Sequence, residues 1–378
     1  MGRSKDLADL GSVTSRLDTL GTSEGALSNR NVIINGNFEI WQRATAATAA
    51  DNSYNTVDRF RPYKNAGAYT TERSDDNPHS AGFSLKAQCT TADTSIAAGE
   101  YAFINHEIDG QNLQHLKYGT SSAKSVTLSF WVKSSKTGTY TVGIYKHAGG
   151  ATAYMYRKEY TISSANTWEK KIITVSPTAG STSFMTSSGG KIVNGGHGFG
   201  VSFNLALGSN FHGTNDAWAA DAKYGTSNQV NWLDSTSNNF YLAEVQMEEG
   251  VQATPFEHEP TSVTLAKCQR YTYVIAGDDD DMTGIMGYGE SASNARFPVV
   301  YPVIMRTTPS FTLSGTCRAQ GGTADGANFT SGLALINANT NHTGAALRVT
   351  GSSNLANDRG YNLQIKANGT KLIFDAEL

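Results

Sequence analysis

The 378-residue chain carries 30 basic and 33 acidic side chains, which gives a net charge of −3, and its basic residues form no run. This charge excludes nucleic acid as the main partner, because neutralising phosphates requires clustered Lys and Arg. No apolar stretch reaches the roughly 20 residues of a membrane helix, so no membrane span is predicted. Residues 1–30 also lack the apolar core of a secretory signal.

Only 17% of the residues are charged, while short apolar clusters recur throughout, so the composition indicates a folded protein rather than a disordered one. Frequent Ser, Thr and β-branched residues with glycine turns favour strands over helices. The cysteines Cys89, Cys268 and Cys317 are odd in number and far apart, and they match no metal-binding spacing. They are predicted to be buried thiols of a chain made in a reducing compartment.

A helical segment is predicted first, over residues 3–27. Leu10, Val13, Leu17 and Leu20 form a short apolar seam with the spacing of a coiled coil. A seam of two heptads is too short to hold an isolated coiled coil, so it needs a partner. Residues 1–30 are therefore predicted to be an oligomerisation or docking segment; the alternative is a helix that lies on its own domain.

From Asn31 onward the apolar period changes from helical to two, as in strands. The clearest case is 199–207, where Phe199, Phe203 and Leu207 share one face and Ser202, Asn204 and Ala206 are predicted to share the other. Strands separated by polar loops, without helices between them, indicate an antiparallel sandwich. Trp131 and Trp168 are expected to anchor its facing sheets. Further strands are predicted at 125–133, 140–144, 154–163, 168–176 and 240–248.

A domain boundary is predicted near Pro260, after which residues 261–270 form one short helix. The predicted organisation is thus the segment 1–30, a jelly-roll sandwich over 31–260 and a second, smaller β domain over 261–378.

Two local features stand out in the second domain. Prolines at 298 and 302 reduce 297–305 to an edge or bulged strand. The dipeptide Asn368-Gly369 favours a type I′ turn, which predicts a hairpin of 361–366 with 371–375.

Several blocks, taken in order, resemble the carbohydrate-binding jelly rolls of phage tail fibres and virion structural proteins. The resemblance covers roughly residues 31–275. In its first block, Gly36 is expected to supply a positive φ at a turn. The blocks are Asn31–Arg43 (NVIINGNFEIWQR), Val57–Phe60 (VDRF), Thr127–Ser134 (TLSFWVKS), Asn239–Gly250 (NFYLAEVQMEEG), Ala253–Glu257 (ATPFE) and Cys268–Tyr271 (CQRY).

The resemblance implies a non-catalytic virion protein that attaches to host polysaccharide or lipopolysaccharide. It also implies a homo-oligomer, expected to be a trimer, which is made in the host cytoplasm and joins other tail proteins through its N-terminus. Aromatic side chains in polar loops would stack on sugar rings. The candidates are Tyr54, Tyr69, Tyr154, Tyr156, Phe211, Trp218 and Tyr224.

Two other functions stay open. One is a structural virion protein that binds only other virion proteins, and the other is a component of a glycan depolymerase. Against the depolymerase stand the absence of a fixed-period repeat and of a compact group of acids. The nearest acid pair, Glu257 and Glu259, lies in the segment that leaves the first domain. No catalytic residue is predicted.

No cofactor is predicted from the residues themselves. Related modules hold a structural calcium, which the resemblance would place at Glu39 and Glu244. Here, however, Ala243-Glu244 stands where those modules have paired aspartates, so one calcium ligand is lost; the alternative is a hydrogen-bonded Glu39. The eight histidines show no His-x-His or His-Glu-x-x-His spacing, so no zinc site is predicted.

Overall fold

A computed structural model describes residues 29–148, 152–321 and 328–378. The predicted N-terminal helix and its seam lie outside these residues. The chain divides into two compact units, the first running to Glu259 and including Leu378, the second spanning Pro260–Glu377. No described helix is long and apolar enough to cross a membrane.

The first unit is an antiparallel β-sandwich, which confirms the predicted fold class. Sheet 1 has the strand order β1-β3-β4-β12-β6-β9, and sheet 2 the order β11-β8-β7-β10-β5-β2. The strands are β1 (Ala46–Thr48), β2 (Phe60–Lys64), β3 (Ala68–Ser74), β4 (Ser84–Thr91), β5 (Tyr101–Asp109), β6 (Val126–Ser134), β7 (Gly138–Lys146), β8 (Tyr154–Ile162), β9 (Glu169–Val175), β10 (His197–Leu207), β11 (Ala217–Ala219) and β12 (Asn239–Glu249). Short 3₁₀ turns lie at Gly110–Leu116, Phe184–Thr186, Ser188–Gly190, Ser209–Phe211 and Trp232–Asp234.

The core lies between the two sheets, where aromatic rings from both meet. Phe203 of β10 contacts Phe130 of β6 edge to face, with ring centroids 5.1 Å apart. Both side chains are fully buried, as the alternating pattern predicts. The opposite face of β10 is buried as well, because residues 208–226 pack over it. Asn204 donates hydrogen bonds there to Thr141 Oγ1 and to the Tyr224 carbonyl, at 3.0 and 2.9 Å.

The tryptophans correct one expectation, since Trp131 and Trp168 do not lie between the sheets. Phe130 is the inward residue of β6, so the neighbouring Trp131 takes the outer face of sheet 1, half-buried against His79. Trp168 is also half-buried, and its indole N–H donates to Asp76 at 3.0 Å. The tryptophans that belong to the core are Trp41, Trp218 and Trp232.

The beginning and end of the first unit are held together by hydrogen bonds. The Val245 N–H donates to the Gly36 carbonyl at 2.9 Å, and the Glu257 carboxylate accepts three backbone N–H groups from residues 29–31 at 2.6–3.0 Å. Gly36 is required by close approach and not by a positive φ, because a Cβ there would lie 2.0 Å from the Val245 carbonyl oxygen. The left-handed residue of the turn is Asn35, with φ 63°.

The second unit is also antiparallel and β-rich. Sheet 3 has the order β13-β22-β16, and sheet 4 the order β18-β17-β21-β14-β15-β20-β19. A helix precedes the strands, as predicted. The elements are α1 (Thr261–Gln269), β13 (Thr272–Gly277), β14 (Met282–Gly289), β15 (Ala295–Val300), β16 (Ser310–Ser314), β17 (Cys317–Gln320), β18 (Asn328–Phe329), β19 (Leu333–Leu335), a 3₁₀ turn (Asn337–Asn339), β20 (Gly344–Val349), β21 (Gly360–Ile365) and β22 (Thr370–Asp375).

The predicted hairpin over 361–375 is wrong. Both strands exist, but β21 pairs with β14 and β17, whereas β22 pairs with β13 and β16. Each strand already has partners on both sides, so the Asn368-Gly369 turn passes the chain from one sheet to the other. Strand β15 pairs with both β14 and β20 near Arg296. Pro298 lies beyond the pairing with β14, so the N–H that proline lacks is not needed on that side.

Candidate functional site

Four neighbouring strands of sheet 2 place polar and aromatic side chains on the face turned away from the core. Alternation along β5 sends Phe103, Asn105 and Glu107 outward, while Ile104 points into the core. Side chains of β2 and β7 join them, together with the backbone of β10 at Gly200, and Tyr224 packs over the same face. The residues that line this aromatic groove are Tyr63, Phe103, Asn105, Glu107, Tyr145, His147, Gly200 and Tyr224.

Stacked rings form the main surface of the aromatic groove. Phe103 lies between Tyr63 and Tyr224, with 4.9 Å between ring centroids on both sides and interplanar angles of 15° and 22°. Phe211 contacts the edge of Tyr224 at 6.1 Å. The cavity measures about 60 Å³, far less than the roughly 300 Å³ at which enclosed ligand pockets begin. A larger ligand would therefore lie along the half-buried rims of Tyr63, Tyr145 and Tyr224.

The segment that carries Tyr224 is fixed by a buried arginine of β8. Arg157 donates to the Thr214 and Lys223 carbonyls at 2.9 and 2.7 Å and pairs with Asp221 at 2.6 Å. The guanidinium is almost fully buried, and its planar arrangement of donors suits several acceptors at once. Because these hydrogen bonds hold both ends of the segment 214–223, they fix the position of the Tyr224 ring, which follows directly after it.

The polar end of the aromatic groove is centred on Glu107. Its Oε2 lies 2.9 Å from His147 Nε2 and 3.4 Å from His197 Nδ1, while its Oε1 accepts from Asn105 at 2.8 Å and from Arg61 at 3.2 Å. Burial alone would raise the pKa of Glu107. The hydrogen bonds from both histidines, with the charges of His147 and Arg61, outweigh it, and the pKa of Glu107 lies well below its usual range. The carboxylate is thus charged at neutral pH.

Arg61 joins this polar end to the aromatic side of the groove. Its guanidinium lies 4.9 Å from the ring centroids of both Tyr54 and Tyr63, as in cation–π contacts. Burial raises the pKa of Tyr63 to about 12, more than the Arg61 charge lowers it. The phenol therefore keeps its proton at neutral pH and can donate a hydrogen bond to a ligand.

The structure separates the seven predicted aromatic candidates into two groups. Phe211 and Tyr224 lie at the aromatic groove, and Tyr54 contacts it through Arg61. The other four are buried in the core and are packing residues, because polar neighbours in the sequence do not reveal that a side chain points inward. Tyr154 stacks on Phe184 at 4.5 Å, for example. The four are Tyr69, Tyr154, Tyr156 and Trp218.

Sequence reasoning missed Tyr63, Phe103 and Tyr145 because they lie in regular strands, while the search concentrated on irregular loops. One signal was present. Strand β5 places Phe103 beside Ile104, so it carries apolar side chains on both faces. Such a strand in a two-sheet sandwich indicates that its outer face is also covered or binds a ligand.

The two predicted calcium ligands, Glu39 and Glu244, lie outside the metal-ligand group found among the described residues. Glu244 lies in a bulge of β12 with φ 47° and pairs with His79 at 3.2 Å. Neither it nor the half-buried Glu39 joins a group of three potential metal ligands within the described ranges. The group found there is Glu107 with His147 and His197, which no local spacing could reveal, because the three residues come from separate strands.

A second cavity, of about 570 Å³, lies beside the 3₁₀ turn at Gly110–Leu116. It is larger than the aromatic groove, but its lining includes one aromatic side chain, the buried Tyr118, and two lysines, Lys117 and Lys191. Binding sites combine aromatic surface with a few convergent polar groups, and the aromatic groove has both. We therefore take the groove as the candidate site.

The fold and the groove define a β-sandwich protein with an aromatic surface site. No family model and no curated protein matches the chain. Among solved structures, it is similar to the enzymatically active domain of bacteriophage CBA120 tailspike protein 4, at 12% identity over 58% of this chain and 21% of that one, with a TM-score of 0.29. The chain thus spans about a fifth of that domain.

Two carbohydrate-binding modules show a similar likeness. The family 11 module from Clostridium thermocellum is 12% identical over 55% of this chain and 98% of its own, with a TM-score of 0.29. The xylan-binding domain from Paenibacillus barcinonensis is 10% identical over 51% and 87%, with a TM-score of 0.26. All these TM-scores lie below 0.5, so the likeness defines neither a binding site nor a function.

Proposed function

We propose that the chain is a phage tail-fibre protein that binds glycan on the host cell surface through the aromatic groove, without cleaving it. The observation that carries the proposal is the stack of Tyr63, Phe103 and Tyr224 beside charged and amide groups on one sheet face. The order of blocks that resembles the jelly rolls of tail fibres supports the virion assignment.

The chemistry of the aromatic groove suits a sugar. The apolar face of a pyranose ring packs on the exposed rim of an aromatic ring, and its hydroxyls need both donors and acceptors. Tyr63 keeps its phenolic proton, and the Asn105 amide and the His147 ring line the same surface. Because the enclosed space is small, the sugar would be bound along the rim, and a single site would be weak.

Weak single sites favour several copies. Linking binding sites raises the effective affinity without any new contact, and residues 1–30 supply the predicted oligomerisation or docking segment. A trimer anchored through these segments to other tail proteins would present three grooves. Such a protein would be made in the host cytoplasm and would act outside the cell as part of the virion. The three buried cysteines fit synthesis in a reducing compartment.

Non-catalytic binding is favoured by the acids of the site. Glycosidases use two carboxylates, about 5–5.5 or 6.5–9.5 Å apart, whereas the described lining of the groove contains a single one, Glu107. That carboxylate is already bonded to two histidines, an asparagine and an arginine. Of the acid pair in the exit segment, Glu257 accepts three backbone N–H groups and so holds the chain in place.

The test is retention of the purified full chain on immobilised host polysaccharide and lipopolysaccharide. Tyr63→Ala and Tyr224→Ala should each weaken retention about two- to tenfold, as expected for the loss of about 0.5–1.5 kcal/mol of ring contact. Trp168→Ala is the matched control, since it removes a half-buried aromatic side chain from sheet 1 and should leave retention unchanged.

The outcomes separate the three functions. Groove-dependent retention without new reducing ends supports the proposal, whereas release of reducing ends would favour the depolymerase. If the wild-type chain is not retained on any host glycan but binds other virion proteins, the structural role is correct.

Host choice is a separate question within the proposal. The aromatic groove is proposed to bind the glycan, while residues 261–378, the second β domain, are expected to determine the host. Exchanging 261–378 between phages with different hosts should transfer adsorption. If adsorption instead follows residues 31–260, the aromatic groove itself sets host choice.

A further inference from the structure

Three potential metal ligands converge at the polar end of the aromatic groove. Glu107 lies on β5, His197 begins β10, and His147 directly follows β7, so adjacent strands of sheet 2 supply all three. Their ligand atoms lie within 4.8 Å of one another, and Glu107 Oε2 is 2.9 and 3.4 Å from the two ring nitrogens.

These distances suit a bound ion. Zinc bonds of 2.0–2.1 Å at tetrahedral angles place ligand atoms about 3.3 Å apart, close to the carboxylate–imidazole distances of 2.9 and 3.4 Å. Both histidine side chains are partly exposed, at 23% for His147 and 38% for His197, which leaves them room to adjust. Glu107 is fixed, because Asn105 and Arg61 hold its other oxygen at 2.8 and 3.2 Å. Contacts of this kind orient the first ligands of metal sites.

The two imidazole rings also lie close to each other, with their centroids 4.5 Å apart. Two imidazoles and one carboxylate are a set of ligands that divalent transition metals accept.

We propose that Glu107, His147 and His197 form a binding site for one divalent transition-metal ion, of which zinc is the prime example. Imidazole ligands select such ions over calcium and magnesium, which prefer an all-oxygen shell. Three protein ligands leave a fourth position for water or a ligand oxygen. Glu107 and His147 line the aromatic groove, so the ion would lie at the edge of the proposed binding surface. The metal site itself does not depend on glycan binding.

The test uses the full chain without a histidine tag, stripped with chelator and titrated with zinc chloride in a calorimeter. The expected result is one zinc ion per chain, with an affinity that excess calcium and magnesium do not reduce. Cobalt chloride should give the visible absorption of a four-coordinate Co²⁺ site. Since changes to the outer contacts of metal sites already cost about 10–100-fold in affinity, His197→Ala should weaken zinc binding at least about tenfold.

His79→Ala is the matched control, because His79 also pairs with a glutamate, at 3.2 Å, but lies outside the cluster. It should bind zinc as the wild type does. His147→Ala is a second variant of the cluster. An unfolding midpoint equal to that of the wild type, measured without metal, would show that each variant folds. The absence of zinc binding by the wild type would overturn the proposal, as would equal losses in His79→Ala and the cluster variants. Neither result would affect the glycan proposal, which is tested by retention of the metal-free chain.

Discussion

The contact between Phe203 and Phe130 allows a quantitative test of the sandwich. Phe203→Ala removes a fully buried ring from the centre of β10, and it should cost about 3–5 kcal/mol of unfolding free energy, as for other Phe→Ala changes in cores. Phe203→Leu retains most of the apolar volume but loses the edge-to-face contact at 5.1 Å. It should cost about 0.5–1.5 kcal/mol. The difference in unfolding free energy between the two variants measures the cost of the cavity that Phe203→Ala leaves.

Tryptophan fluorescence is the assay, because the chain contains five tryptophans and all of them lie in the first unit. Urea unfolding of the full chain, followed by this signal, therefore reports on the sandwich alone. The denaturant slope should stay unchanged in each variant while the midpoint falls.

Ile172→Ala is the matched control, since Ile172 is a large apolar residue of β9 that is 57% exposed. Its loss should change stability by no more than about 0.5 kcal/mol. If Phe203→Ala costs no more than Ile172→Ala, the ring does not lie between the sheets and the sandwich assignment fails.

Three further predictions concern single positions. Gly36→Ala should destabilise the first unit by several kcal/mol, because its Cβ would lie 2.0 Å from the Val245 carbonyl oxygen; an unchanged urea midpoint would contradict this. Arg157→Lys should leave the sandwich folded but weaken glycan retention through Tyr224 and speed proteolysis within residues 213–224, because a lysine cannot replace the planar set of donors; unchanged cleavage would show that the segment holds its own position. Burial raises the pKa of Cys317 to about 12, so its thiol should resist alkylation at pH 8 in the native protein and react once denaturant is added, as mass spectrometry can follow; rapid native labelling would place it at the surface.

The fold class was predictable because two-residue periodicity follows directly from strand geometry. The alternation through Phe199 and Phe203 identifies the inward face of β10 without knowledge of its partners. Pairing was less predictable, as the second unit shows. Asn368-Gly369 has the chemistry of a hairpin turn, but the flanking strands find better partners far away in the sequence. A turn signal is local, whereas sheet order depends on the whole chain.

The candidate site was harder still to predict from local sequence than the strand pairing. Tyr224 was identified because it lies in a polar segment, but Tyr63 was hidden in a regular strand. The convergence of Glu107 with His147 and His197 depends on strand order in sheet 2. Distances between strands that are remote in sequence are set by tertiary pairing, so periodicity and motif spacing do not contain them.

The hydrogen bonds that join the two ends of the first unit have a mechanical consequence. The bonds that would oppose a pull between residue 30 and residue 257 are the three to the Glu257 carboxylate and the one between Val245 and Gly36. These bonds lie beside sheet 1, whereas the aromatic groove lies on sheet 2. We therefore expect a pull on residues 30 and 257 to break these bonds before it changes the positions of the groove residues.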